Sequence, residues 1–195
     1  MNDPNGLSSL EAFVKTARSG SASFSQTVTA PARDGQAARS KTSSGQFQFQ
    51  RPGRFRFVYT RPFEQTIVAD GRTLWLYDAD LNQVTRRAQD QALGATPAAL
   101  LTAAPDLAAL RREFTLEAAP DEGGLQWVHA TPKAGDGQLK SVRVGFDGPR
   151  LAVLEIEDSF GQRSTLRFSG LQLNPQLPAD TFSFKPPAGA DVVKQ

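Results

Sequence analysis

The chain has 195 residues, 39% of them hydrophobic, with 13 Phe, one His, no Cys and a formal charge of +2. That length suits a single well-buried domain over 1–195. The mild charge, with Lys and Arg scattered among acids, excludes a basic nucleic-acid stripe. No apolar run approaches the roughly 18 residues of a membrane span and no secretory-signal pattern occurs, while the absence of Cys excludes disulfides, thiolate nucleophiles and Cys-based metal sites.

In chain order, Ser8 and Glu11 stand at capping-box spacing ahead of Phe13, Val14 and Ala17. With Gly20 as a left-handed stop, they predict a short amphipathic helix over 8–19. A strand follows over 22–29, and the small, polar, aperiodic residues 30–44 read as a mobile loop. The stretch 45–60 then alternates with period 2: Phe47, Phe49, Phe55, Phe57 and Tyr59 share one parity, and Gln and Arg fill most of the other. Such alternation describes two half-buried strands broken by Pro52-Gly53. Arg51 sits on the aromatic parity, where an apolar side chain is expected, so it must find acceptors or face water.

Asp70-Gly71 marks a tight hairpin between strands at 64–69 and 72–78, and a strand near 82–87 returns. Thr96-Pro97 then opens a helix whose run 98–104 carries no charge, and Pro105-Asp106 restarts a further helix through Leu107 and Leu110. Two readings fit the uncharged helix: a plain helix packed on the sheet, or a lid over an apolar cavity. Strands return at about 113–119, 125–131, 139–147, 150–158 and 162–169, and a short Phe182-Ser183-Phe184 strand ends at Pro186-Pro187. Val142, Val144 and Phe146 share an apolar parity, as do Leu154 and Ile156, while Arg143, Glu155 and Glu157 take the wet one. The expected fold is mainly β (α+β): about ten or eleven antiparallel strands and three short helices, curled into a partial barrel.

Groups able to trade protons or hold a metal are scarce. His129 has no partner at metal-ligand spacing, no G-x-S-x-G elbow or phosphate-binding glycine motif occurs, and Asp78/Asp80 and Glu155/Glu157 fall at turns or on the wet parity. The sequence therefore predicts neither an enzyme nor a cofactor or metal site. It predicts a face of stiff aromatic and aliphatic side chains, either an ordinary core or the lining of a hydrocarbon cavity.

Several collinear segments between about residues 7 and 190 resemble the LolA family of periplasmic outer-membrane lipoprotein carriers. They are Phe24-Ser25-Gln26, Arg51-Pro52 followed by Phe55, Asp70-Gly71-Arg72-Thr73-Leu74-Trp75, Thr96-Pro97, Thr131-Pro132-Lys133 with Gly137, Leu139 and Lys140, and Phe182-Ser183-Phe184-Lys185-Pro186-Pro187-Ala188-Gly189. The resemblance implies a half-barrel of about eleven strands under a helical lid, its concave apolar face taking the acyl chains of a lipoprotein. On that basis the cavity is expected to involve Phe47, Phe49, Phe55, Phe57, Tyr59, Val142, Val144, Phe146, Leu154 and Ile156, with Leu100, Leu101 and Leu107 on the lid. The Arg before Pro, here Arg51, is expected to hold the lid through backbone carbonyls, and Phe55 matches a position associated with the releasing complex. Large Phe side chains at 47, 49 and 57, where the family varies, bear on cavity volume. Implied partners are acylated lipoproteins as cargo, an inner-membrane lipoprotein-releasing ABC transporter and an outer-membrane receptor, for a monomer working in the periplasm after loss of a signal peptide. The alternatives are an outer-membrane receptor or a periplasmic lipid-sensing domain on the same half-barrel.

Overall fold

A computed structural model describes residues 5–89, 104–134, 137 and 139–195. Helix α1 (Gly6–Thr16) leads into strands β1 (Ser19–Thr29), β2 (Ser40–Gln50), β3 (Arg54–Arg61), β4 (Gln65–Asp70), β5 (Thr73–Asp78) and β6 (Gln83–Ala88). Helix α2 (Leu107–Glu113) precedes β7 (Phe114–Glu122), β8 (Leu125–Pro132), β9 (Leu139–Asp147), β10 (Arg150–Asp158), β11 (Arg163–Leu173) and β12 (Asp191–Lys194). All the strands join one sheet in the order β12-β6-β5-β4-β3-β2-β1-β11-β10-β9-β8-β7, which stays open between its edges β12 and β7. Every pairing is antiparallel except that of β12 with β6.

The sheet curls around α1. Phe49 on β2 and Phe146 on β9 lie four strand spacings apart, on the order of 19 Å in a flat sheet. Their ring centroids are nevertheless 5.9 and 5.8 Å from that of Phe13 on α1, which only strong curvature permits. Register shifts at Ser21/Ser23, Ser44/Gly45, Leu151/Val153 and Ala119/Glu122 supply local bends of the kind that let a sheet coil. Leu10, Phe13 and Val14 are buried in the hollow. The core therefore lies between helix and concave face, in a half-barrel of the kind the alternation predicts.

Several boundaries differ from expectation. The cap of α1 is Asn5, not Ser8: the Asn5 side chain accepts from the Ser8 backbone N–H at 3.0 Å, and the Ser8 hydroxyl accepts from Asn5 N–H in return. The helix thus begins earlier and ends at Thr16, and Gly20 belongs to β1. Most of the expected loop 30–44 shrinks to a connection over 30–39, because β2 starts at Ser40. The hydroxyl pairs Thr27–Thr42 and Thr29–Ser40 extend that hairpin with polar residues on both faces, leaving no alternation to read. Phe182-Ser183-Phe184 is not a strand. It belongs to an extended strap over 174–190 that crosses the outer face, where Phe184 packs on Trp75 and Tyr77 at 5.4 and 6.1 Å. The strap ends in β12, four exposed residues that sequence alone did not mark. The Thr96-Pro97 helix, with Leu100 and Leu101, lies outside the described residues.

Candidate functional site

The aromatic parity of β2 and β3 forms one wall of the hollow. Phe47 pairs with Phe57 and Phe49 with Phe55 across the strands, and the Phe47 and Phe57 rings stack with centroids 4.5 Å apart. Phe24 and Phe168 close on the same rings from β1 and β11 at 5.5 Å each. Each such contact adds roughly 0.5–1.5 kcal/mol beyond the area it buries. Phe47, Phe49, Phe55 and Phe57 are all fully buried, and Arg56 and Val58 turn to the outer face. From the other half of the sheet, Val142, Val144, Phe146 and Leu154 are buried in the same hydrophobic cluster, against which Tyr59, Ile156 and Leu107 of α2 pack partly exposed. Of the lining side chains singled out in the sequence, all those described converge on one face. The sequence did not single out Phe13, Phe24 or Leu166 as lining residues, and they complete it; the signal available was the apolar face of a helix for Phe13 and the apolar parity of a strand for the other two.

Arg51 lies at one end of this wall, 6% exposed. Its Nε donates to the carbonyl of Ala17, the residue that ends α1, and its Nη1 donates to the carbonyl of Ala104, each at 2.8 Å. The guanidinium carbon sits 5.3 Å from the Phe13 ring centroid and 5.5 Å from that of Phe49. Burial, and then the neighbouring Arg18 cation, push its pKa down to about 10, so it stays charged at neutral pH. One side chain thus ties the end of β2 to the end of α1 and to the segment entering α2, through neutral acceptors and ring faces.

The turns beside it are fastened too. The Gln89 side chain donates to the Gly53 carbonyl and accepts from Gly71 N–H at 3.0 Å, joining the two hairpin ends. Gly71 has φ +102, a conformation that suits glycine at this turn. Asp70 accepts from the backbone N–H of Arg72 and Thr73 and from the Trp75 indole. Although burial raises its pKa, those three donors and the Arg72 cation outweigh the effect and hold the carboxyl below its usual range.

The wall ends differently at its other extremity. The Tyr59 ring meets Phe24 edge-on at 5.0 Å, its hydroxyl donates to Gln26 Oε1 at 2.5 Å, and burial lifts its pKa to about 12. Gly45 stands opposite Tyr59 in register and has no room for a side chain, since a Cβ there would come within 1.8 Å of the Val58 carbonyl oxygen. Beyond Tyr59 opens a groove of about 570 Å³, bordered by Phe63 and Leu81, each 68% exposed.

The outer face is polar and braced: Arg143 bonds Glu155 at 3.0 Å and Glu122 at 3.3 Å and lies 4.5 Å from the Trp127 ring centroid. His129 stands in register with Glu117 and Arg143 on that face, away from the hollow. Among the described residues, no group of three or more His, Cys, Asp and Glu is placed to hold a metal, and no helix is long and apolar enough to cross a membrane.

The family model described as outer membrane lipoprotein carrier protein LolA matches residues 15–185, nearly the whole of this architecture. The chain belongs to the LolA family. An outer-membrane lipoprotein carrier protein of Albidiferax ferrireducens is 66% identical over 194 residues, covering 97% of this chain and 91% of that one. One from Methylibium petroleiphilum is 54% identical over 191 residues, covering 98% and 90%. Among solved structures, a LolA-superfamily protein from Nitrosomonas europaea superposes with TM-score 0.50 at 15% identity, over 93% of this chain and 99% of that one. MucB superposes with TM-score 0.52 at 16% identity, over 96% of this chain and 65% of that one. At such identities these structures share the fold alone.

Proposed function

We propose that this protein escorts acylated lipoproteins across the periplasm, laying their acyl chains against the aromatic hollow while Arg51 acts as a latch on the elements that cover it. The task is set by solvation. At about 0.8 kcal/mol per methylene, an exposed chain of about 16 carbons would be unfavourable in water by roughly 12 kcal/mol, so a lipidated protein needs shelter between membranes.

The observation that carries this reading is the environment of Arg51. A residue serving only to fill the core would be apolar here, whereas this buried guanidinium donates to backbone carbonyls of two separate segments, at Ala17 and Ala104, and lies over two rings. Polar bonds from one side chain to separate elements suit a cover that must lift as a unit. When it does, Ala17 and Ala104 carbonyls can turn to water, the guanidinium can be hydrated, and the aromatic wall becomes available to hydrocarbon. Phe55, buried when the hollow is packed, would then be reachable by an inner-membrane releasing transporter, and the loaded carrier would pass its cargo to an outer-membrane receptor.

Transfer from a purified carrier–lipoprotein complex to that receptor tests the latch. Arg51→Leu removes the bonds and adds apolar surface, so it should accept cargo yet release it at least tenfold more slowly. Arg51→Lys keeps the charge without the planar fork and should fall between Leu and wild type. Wild-type release rates from the Leu variant would reduce Arg51 to a packing residue.

A further inference from the structure

The aromatic wall ends in a hydroxyl and an amide. Tyr59 packs edge-on against Phe24 and stacks on Phe57 at 6.4 Å, so its ring belongs to the hydrocarbon lining while its oxygen lies past it. That oxygen donates to Gln26 Oε1, which holds the amide beside the end of the lining. The Tyr59 hydroxyl is the one protein partner of the Gln26 amide among the described residues, which leaves its N–H groups to solvent, and Gln26 and Tyr59 both line the groove beyond the wall. Three carboxylates, Glu64, Asp78 and Asp80, line the groove as well, and no Lys or Arg does among the described residues.

Hydrocarbon has no use for donors, so an amide at the end of a greasy lining, half-buried beside an open groove, is placed to meet something polar in whatever fills that groove. An acylated protein terminus supplies such groups where its chains join the polypeptide, as ester and amide carbonyls that are acceptors without charge. A free fatty acid or an anionic phospholipid also presents oxygens there, but with a negative charge that three carboxylates repel. We propose that Gln26, oriented by Tyr59, receives the carbonyl oxygens at the head of an acylated protein terminus, and that Glu64, Asp78 and Asp80 turn away anionic lipids. The inference rests on the carrier reading and adds to it the way cargo is told from bulk lipid. The acyl chains follow Phe57 and Phe47 inward, and the polypeptide leaves past Phe63 and Leu81, whose exposed side chains flank the groove.

The test is displacement of bound diphenylhexatriene by three competitors: a tripalmitoylated cysteinyl-serine amide, its ether analogue without carbonyls, and palmitate. Wild type should prefer the ester compound over its ether analogue by about fivefold, the worth of one hydrogen bond, and should bind palmitate most weakly. Gln26→Leu should abolish the ester-over-ether preference. Tyr59→Phe, which keeps the ring and removes the orienting hydroxyl, should reduce it. The triple variant Glu64→Gln, Asp78→Asn, Asp80→Asn should tighten palmitate several-fold at low salt and less at high salt. An equal loss for ester and ether in Gln26→Leu and Tyr59→Phe would make the pair a packing feature and overturn the proposal. So would unchanged preference, or normal binding with slowed hand-over to the receptor, which would make the groove a surface for a protein partner. A wild type that binds neither diphenylhexatriene nor lipopeptide would instead overturn the carrier reading itself.

Discussion

The strand pair β2–β3 finishes in opposite ways at its two ends. At the Arg51 end, polar side chains are anchored on backbone: Arg51 on the carbonyls of Ala17 and Ala104, Gln89 on Gly53 and Gly71, Asp70 on Arg72 and Thr73. At the Tyr59 end, two side chains are anchored on each other and border open space. Backbone partners are fixed by the fold, so the first arrangement holds segments together. Side-chain partners can be shared with an incoming group, so the second can meet a ligand. One aromatic wall therefore runs from a fastening to a mouth.

The contrast breaks most readily at its rings. Phe49→Ala empties a fully buried position between Phe13, Phe47 and Arg51 and should cost about 3–5 kcal/mol in urea unfolding, whereas Phe63→Ala at the mouth should stay within about 0.5 kcal/mol. Comparable losses at both positions would mean that the mouth is packed as tightly as the fastening. Gln89→Leu strips partners from the Gly53 carbonyl and the Gly71 N–H together, and about 1–3 kcal/mol of stability should go with them. Tyr59→Phe deletes a single hydrogen bond at the mouth and should cost no more than about 1 kcal/mol; a larger loss than that of Gln89→Leu would reverse the assignment of the two ends.

The smallest effect is one of pH. Because Asp70 titrates below its usual 3.8 in the fold, its contribution is present above that pH and is lost as pH falls through the folded value. An Asp70→Asn variant should therefore unfold with a shallower dependence on acid below about pH 4. Parallel acid limbs for the two proteins would remove Asp70 from the fastening.

Much of this was legible because strands have a period of two. Phe47 to Tyr59 declared a buried face, and Arg51 was conspicuous only against that pattern. The same rule misled at Phe182 and Phe184, which alternate like a strand but pair with no neighbouring backbone among the described residues; Phe184 packs instead on Trp75 and Tyr77. Residues 40–44 hid a strand because both of their faces are polar, and β12 hid because it is four exposed residues at the edge of the sheet, with no face to bury. Gln26 looked like any polar strand residue. Its partner is 33 positions away, and nothing local announces that their side chains meet.

The strap over 174–190 has a mechanical consequence. It begins where the Asn174 side chain grips the end of α1, accepting from Arg18 N–H at 2.7 Å and donating to the Thr16 carbonyl at 3.0 Å. It finishes bonded to the far edge of the sheet, where Asp191 N–H meets the Asn82 carbonyl and β12 runs beside β6. Lying on the convex side, it joins points whose separation along the outer surface grows if the sheet curls more tightly and shrinks if it flattens. Tighter curling would therefore pull on the strap and on the contacts of Phe184 with Trp75 and Tyr77, so the strap limits how far the arc of β-strands can close on itself and leaves it free to open.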